Sequence, residues 1–571
     1  MKKQLRSSVS TFASIIFIST LFLMIPFANA QDSKTERLQN MPLEVIDDPY
    51  LPADNTQMQR TPAYSANAPT YFTRQVNVDV NGDNIVNDAA NEPSIAVDPT
   101  NPNRIVIGWR QFDNINSNFR QAGNGYSLDG GQTWIYQQVL EPGVFRSDPV
   151  LDFDAEGNLY YNSLQNSFEC DVYKITDGGQ DWGAPFPAKG GDKQWMILDR
   201  SGGEGDGNNY SYWNSSFSTC NGQFTRSTDG SNTFEDCITI DEDPFWGTLA
   251  VDAEGSLYIA GTTFSGITII KSTNAEIEGS NIVWDFSTPV NLDGDLNSGA
   301  PVNPQGLIGQ TWVGTDNSNG SGSGNVYVLA SVERFSNNDP ADVMFAKSTD
   351  GGQSFLPPVR INTDANNSAY QWFGSMSVAP NGRIDVIWLD TRDAPAATND
   401  SVLYYSFSSD QGESWSENLA ISEPFNPNIG YPQQSKMGDY FHMTSDNEYA
   451  HLAWANTING GQDVFYTRIT PEEILATNDF STVPFNFITY PNPFSEKTHI
   501  EFNLVSEEEV SVAVFDIQGR KVTTLFNGLV SGKKALDWDG TDNKGTKIAN
   551  GLYFITISSA EKKYVSKIIR E

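Results

Sequence analysis

Ser127-Leu128-Asp129-Gly130-Gly131-Gln132-Thr133-Trp134 sets a pattern, S/T-x-D-x-G-x-S/T-W/F, that the chain repeats. It returns as ITDGGQDW at 175–182, STDGSNTF at 227–234, STDGGQSF at 348–355 and SSDQGESW at 408–415, and survives in worn form as Ser272-Thr273-Asn274. Each copy reads as a tight β-turn: Asp accepts backbone N–H groups, Gly takes a positive φ, and the closing aromatic folds back on the sheet. Such residues hold hairpins together, so the turns are not expected to carry chemistry.

Working outward from the turns, a second repeat alternates with them over 91–470. It consists of a strand ending in Asp, a short turn, and a strand ending in a bulky residue, as in PSIAVDPTNPNRIVIGW and WGTLAVDAEGSLYIAG. The last copy runs into Asp463-Val464-Phe465-Tyr466-Thr467-Arg468 with no turn after it. Repeats of roughly 45 to 75 residues, each worth four antiparallel strands, predict an all-β fold, a seven-bladed β-propeller with six blades as the alternative. A strand missing from the last repeat is what ring closure predicts, and residues 68–80 are the candidates to supply it. A flat sandwich would not explain the regular alternation.

The chain has 571 residues and a formal charge of −36, an acidic balance that argues against nucleic acid as a partner. Residues 1–30 read as a secretory signal peptide, with a basic start (Lys2, Lys3, Arg6), an apolar run and Ala28-Asn29-Ala30. No transmembrane segment is expected in the mature chain. Residues 31–75 read as a leader or linker, 76–470 as the propeller, 471–484 as a linker and 485–571 as a separate module.

Export permits disulfides. Cys220 and Cys237 lie nearly symmetrically about Asp229, so the two hairpin strands should bring them together. Cys170 is then left over and reads as a small buried residue. Asp79, Asn81, Asp83 and Asn87 have the oxygen spacing of a calcium loop, although Asn84 stands where Gly is usual and Ala90 where a bidentate Glu belongs. Calcium is the one cofactor this suggests, against an ordinary Asx-rich turn.

In a propeller whose strands run outward from the axis, the start of the first strand and the end of the second share one face. The Asp turns lie on the other. Read this way, the candidate catalytic carboxylates are Glu92, Asp148, Asp192, Asp243, Asp390 and Asp439, and the candidate substrate contacts are Arg110, Lys193, Trp195, Trp246, Trp312, Trp372, Arg392 and Tyr440. Aromatic faces and carboxylates suit sugar rings, and paired carboxylates roughly 5 to 9.5 Å apart can cut a glycosidic bond. Trp109, Trp388 and Trp454 recur at one repeat position, which favours packing for those three. An Asp at a strand start also caps backbone amides.

The turns resemble the Asp boxes of the sialidase-type BNR propellers over about 91–470. That family clamps a substrate carboxylate with three Arg, uses a Tyr nucleophile paired with Glu, and protonates with Asp. Family members carry Arg-Ile-Pro where this chain has Asn91-Glu92-Pro93-Ser94-Ile95, and Arg110 and Arg392 could supply two of the three clamping Arg, with no third found. The resemblance therefore implies the fold, with sialidase kept as an alternative. Propeller polysaccharide lyases use His or Tyr as base, which would draw on His442 and Tyr440. At the C-terminus, YPNPF (490–494), VAVFDIQGRKV (512–522), GLYFITI (551–557) and the terminal KIIRE resemble the sorting domain read by the type IX secretion system. This implies a small β-sandwich, passage across the outer membrane of a Gram-negative bacterium, and release or surface attachment. The resulting expectation is a secreted or cell-surface propeller acting on extracellular polysaccharide or glycoprotein glycans, as a glycoside hydrolase or as a non-catalytic binding or structural propeller.

Overall fold

The computed structural model describes residues 46–53, 55–176, 178, 180–471, 488–517, 520–558 and 563–571. The expected signal peptide, the first part of the leader, Asp177 of the second turn and all of the expected linker after Pro471 lie outside the described residues. The chain divides into two compact units, Met1–Pro471 and Glu472–Glu571.

In the first unit, antiparallel sheets follow one another along the chain. The first is Ala89–Val97, Ile105–Phe112, Gln121–Ser127 and Ile135–Val139, and the second runs from Ser147–Phe153 to Phe186–Pro187. The third has three strands, Trp195–Leu198, Asn209–Tyr212 and Phe224–Ser227. The fourth, fifth and sixth begin with Leu249–Val251, Trp312–Thr315 and Gln371–Val378. Strands such as Ile105–Phe112 and Val402–Ser408 are buried along their whole length, because each sheet is covered on both faces by its neighbours.

The seventh sheet explains the missing strand. His442–Ser445, Ala450–Asn456 and Asp463–Ile469 pair in order, and Tyr71–Gln75 then adds to Asp463–Ile469 with Tyr71 opposite Ile469 and Gln75 opposite Phe465. Ser65–Asn67 pairs outside it. Tyr71–Gln75 lies within residues 68–80, the stretch expected to supply the missing strand, and both strands also fall inside 31–75, read above as leader or linker, so this described part of the leader belongs to the propeller sheet. The reason is that Asp463–Ile469 offers an open edge that only the other end of the chain can cover. Each inner strand packs on the next, and His442–Ser445 packs back on Ala89–Val97, so the ring closes.

The register fixes which way the Asp turns point. Val97 faces Ile105, which faces Ser127; likewise Thr315, Val326 and Ser348 line up, as do Val378, Ile384 and Ser408. The turns therefore sit at the end of each inner strand, on the rim opposite its start. Ser127 Oγ donates to Asp129 Oδ1 (2.8 Å) and accepts from Gly131 N (2.8 Å), while Asp129 accepts from Thr133 N (3.0 Å) and Thr133 Oγ1 (2.7 Å). Asp229, Asp350 and Asp410 repeat this set. Against a burial penalty, the bonds from Thr133 and Ser127 hold the Asp129 carboxyl below its usual range. In the worn copy, Asn274 Oδ1 still accepts from Val283 N (2.8 Å).

Cys220 and Cys237 are joined, with Cα atoms 6.1 Å apart, and Cys170 is buried and free. The second unit is an antiparallel sheet in which the long strand Thr498–Asp516 pairs with Lys521–Trp538, Ile488–Tyr490 and Gly551–Ser558. Phe494, Phe502, Val512, Trp538 and Ile555 are among its core residues. No helix among the described residues is long and apolar enough to cross a membrane.

Candidate functional site: a sealed ion cluster at the ring axis

Five inner strands begin with the same backbone kink. Glu92 (φ 53°), Asp148 (φ 47°), Lys193 (φ 58°), Trp246 (φ 53°) and Phe373 (φ 56°) all lie in the left-handed region, each at the equivalent position before the turn that ends its strand. Residues with a Cβ rarely adopt this conformation, and it persists only where surrounding structure holds it. At three of the five positions the side chain is charged, and all three meet in one cluster.

Arg110 Nε lies 2.7 Å from Glu92 Oε2, and Glu92 Oε1 accepts from Asp439 N at 2.8 Å. Lys193 Nζ lies 3.2 Å from Asp148, 3.1 Å from Asp192 and 3.0 Å from Asp439. Lys436 Nζ completes the set 2.9 Å from Asp439, whose second oxygen accepts from Leu307 N at 2.9 Å. Of these groups only Asp192 is partly exposed, at 23% of its side chain.

Four carboxylates (Glu92, Asp148, Asp192, Asp439) thus face three cations (Arg110, Lys193, Lys436). Leaving out the partly exposed Asp192, three buried carboxylates face three buried cations, and Glu92 is the acid among them whose proton is held most strongly. Burial pushes its carboxyl up to about 8, with Arg110 pulling down and Asp148 and Asp439 adding repulsion. Asp148, despite burial, is held low by Lys193 and Arg110, and Asp439 lower still by Lys193 and Lys436. Lys193, although burial disfavours its charge, is raised well above its ordinary value by Asp148, Asp192 and Asp439.

A pH dependence follows. With Glu92 raised from 4.5 to about 8, the folded state holds a proton that the unfolded chain gives up earlier. This contribution is complete below about pH 4.5 and is lost as pH rises through 8. Asp463, pushed by burial to about 7, acts in the same sense. The thermal midpoint of the propeller should therefore fall between pH 5 and pH 9, and should fall less in Glu92→Gln. A midpoint that climbs over this range in the unaltered protein contradicts the assignment.

Two segments seal the cluster. Asn303 Nδ2 donates to Gly438 O (2.9 Å) and Asn303 Oδ1 accepts from Met437 N (2.9 Å), while Gln305 N donates to Ser435 O (3.0 Å) and Gln305 Oε1 accepts from Ser435 N (2.7 Å). Residues 297–310 and 422–441 are in this way laced together, with Val302, Asn303, Ile308 and Met437 fully buried. On the axis beyond the cluster, Trp195 meets Trp312 (5.1 Å), His442 (5.2 Å) and Tyr440 (5.2 Å), and Trp312 stacks on His442 (5.5 Å). Burial lowers His442 to about 3, and its Nδ1 accepts from Ile95 N at 3.2 Å. It is a neutral packing ring with one nitrogen engaged, which does not suit a base. Tyr440 donates its hydroxyl proton to Pro149 O (2.8 Å).

The structure thus gathers Glu92, Asp148, Asp192, Asp439, Arg110 and Lys193, with Trp195, Trp312 and Tyr440 packed on the same axis. It does not bring the others to them. Asp390 is saturated by Trp388 Nε1 (2.8 Å), Gln371 Nε2 (3.1 Å) and Arg392 (2.7 Å). Asp243 accepts from Gln223 Nε2 (3.0 Å). Trp372 is buried and bonded to Ser401 Oγ (3.2 Å), and Trp246 packs on Phe245 (5.0 Å). Trp109, Trp388 and Trp454 are fully buried, in keeping with packing. The expected open mouth is therefore a filled one. The ring starts converge so closely that their charges neutralise one another and leave no free carboxylate pair.

Lys436 and the two lacing segments were missed by the sequence reading. The local signal was a lysine three residues before Asp439 in a stretch with no strand pattern. In the 79–88 loop, Asp79 Oδ1 accepts from Asn81 N (2.8 Å) and Asp83 N (3.1 Å), and its Oδ2 lies 2.9 Å from Arg60 Nε. The Asp79 carboxylate is thus already spent, and Asn81 and Asn87 are exposed. Among the described residues no group of three or more His, Cys, Asp or Glu is placed to hold a metal ion. These residues do not fit calcium as they stand.

Residues 489–571 match the family described as secretion system C-terminal sorting domain. No curated protein matches the chain. Among solved structures it is similar to a protein of unknown function from Dyadobacter fermentans (12% identity, TM-score 0.38, 71% of this chain and 100% of that one). It is also similar to an α-L-arabinofuranosidase from Fusarium graminearum (11%, 0.37, 72% and 99%) and to a Trypanosoma rangeli sialidase (11%, 0.33, 86% and 86%). Likenesses this distant carry no conclusion about activity. The sorting domain itself marks the chain for handling by the type IX machinery, and so for secretion or attachment at the outer surface.

Proposed function

We propose that this protein is a secreted or surface-attached propeller that binds extracellular glycans without cleaving them. One observation carries the non-catalytic part: every carboxylate nominated for catalysis is tied to a cation, an amide or an indole, and four of the six (Glu92, Asp148, Asp390 and Asp439) are at most 2% exposed. A hydrolase needs one acid and one base free to face a substrate. Sialidase chemistry finds even less support, since Arg110 is committed to Glu92 and Arg392 to Asp390. Export of the Gram-negative type supports a ligand outside the cell.

The test is incubation of the full chain with neutral, uronic and sialylated polysaccharides. Retention on at least one of them with neither new reducing ends nor unsaturated products is expected. Product formation overturns the reading. One observation favours a second reading, a glycoside hydrolase opened by release of the lacing: Glu92 is held protonated near neutrality while neighbouring Asp148 stays ionised, the split that separates an acid from a nucleophile. In that case Glu92→Gln and Asp148→Asn abolish the product.

A further inference from the structure

On the rim opposite the Asp turns, the loops between second and third strands carry a phenylalanine in five successive sheets. Phe119, Phe168, Phe217, Phe264 and Phe335 all occupy this connection. Four of them are exposed, Phe168 at 40%, Phe217 at 43%, Phe264 at 59% and Phe335 at 65%. Phe168 and Phe217 form a tilted pair 5.8 Å apart, and Phe264 lies 6.4 Å from Phe245, which is itself backed by Trp246. Even with these contacts the four rings stay 40–65% exposed, and one per sheet at the same topological place marks an arc of the rim.

The fifth ring shows what the position takes. Phe119 is covered by Tyr50 at 5.2 Å, and the segment carrying Tyr50 is fastened at its edges by polar bonds: Asp48 N to Asn118 Oδ1 (2.6 Å), Asn118 N to Asp48 Oδ2 (3.1 Å), and Asp47 to Arg120. A flat face with hydrogen-bonding edges fills the site. The uncovered rings are likewise bordered by polar groups, such as Glu169 accepting from Thr219 Oγ1 (3.1 Å). The exposed charges in the connections of this rim include Glu169, Asp241 and Glu242 against Lys189, an acidic balance on a chain of net charge −36 that disfavours an anionic ligand. Separate rings set among polar loops also lack the continuous apolar centre of a protein interface.

We infer that this arc is a stacking platform for a neutral polysaccharide, its rings meeting the C–H faces of successive sugars. The inference rests on the glycan-binding reading above and assigns it a place and a ligand class. The experiment is affinity electrophoresis of the full chain in gels containing neutral, uronic or sialylated polysaccharides. It compares Phe168→Ala/Phe217→Ala, Phe264→Ala/Phe335→Ala, and Leu128→Ala on the opposite rim as control, all checked for an unchanged thermal midpoint.

Retardation by a neutral polysaccharide is expected, weakened about tenfold or more by the phenylalanine changes and not by Leu128→Ala. Equal retardation of all variants overturns the platform while leaving glycan binding intact. Retardation by anionic polysaccharides alone overturns the neutral assignment. No retardation by any of them overturns both readings. A sedimentation shift from dimer to monomer in the phenylalanine variants instead makes a second copy the occupant and likewise overturns the platform.

Discussion

Lys193→Met is expected to destabilise the propeller by about 3–5 kcal/mol, because it strands buried carboxylates that have few other partners. Lys193 is the cation shared by Asp148, Asp192 and Asp439, at 3.2, 3.1 and 3.0 Å. Asp439 retains its ion pair with Lys436 after the change, whereas Asp148 is left with only the longer-range attraction of Arg110 and Lys436. The loss arises from desolvation without compensation more than from the Coulomb energy of any one pair. The direction of its pH dependence separates this from a simple packing defect. Without Lys193, the Asp148 and Asp439 carboxyls titrate higher, so the gap between variant and unaltered protein should narrow from pH 8 to pH 5. Denaturant unfolding at both values reads this out. An unchanged midpoint, or a gap that widens in acid, contradicts the network.

The second large effect concerns ring closure. A chain lacking residues 31–77 loses the strand Tyr71–Gln75 and its pairing to Asp463–Ile469. It also loses the Thr73–Thr467 hydroxyl contact (2.9 Å), the Asn77 bonds to Asp463 (2.8 Å) and Val464 N (2.9 Å), and the fully buried Val76. At about 0.5–1.5 kcal/mol per hydrogen bond plus the side-chain burial, the deficit reaches about 5 kcal/mol or more, comparable with the whole stability of an ordinary domain. The shortened chain should lose its cooperative transition and expose Asp463–Ile469 as an edge prone to association. A synthetic peptide spanning residues 60–80 should restore cooperativity by taking the vacant place in the sheet. Cooperative unfolding of the shortened chain at the unaltered midpoint would show that the ring does not need this latch.

The two effects differ in how far the sequence announced them. The missing strand was legible because the last repeat stops at Asp463-Val464-Phe465-Tyr466-Thr467-Arg468, and a ring built of repeats must complete its last member. The expected stretch 68–80 contains the closing strand Tyr71–Gln75, while the polar composition of the leader hid the strand Ser65–Asn67 that pairs outside it. The charged cluster was legible only as a set of names. Glu92, Asp148, Lys193 and Asp439 stood at equivalent starts, yet the same reasoning placed Asp390 and Asp243 beside them, and these have other partners.

What the chain's order determined by itself was local and periodic: where hairpins turn, which residues alternate, and that the pattern recurs until it closes. The same holds for the terminal module, whose ordered short motifs are read from neighbouring residues. What only the tertiary structure decided was which charges meet, because Arg110, Lys193 and Lys436 come from separate sheets and from a segment with no pattern of its own. Whether a carboxylate is free or spent depends on the cations that folding brings within about 3 Å of it, and burial then sets the strength of that contact. The sealing of the axis has the same origin, since Asn303 and Met437 are far apart in the chain and meet only when the ring has closed.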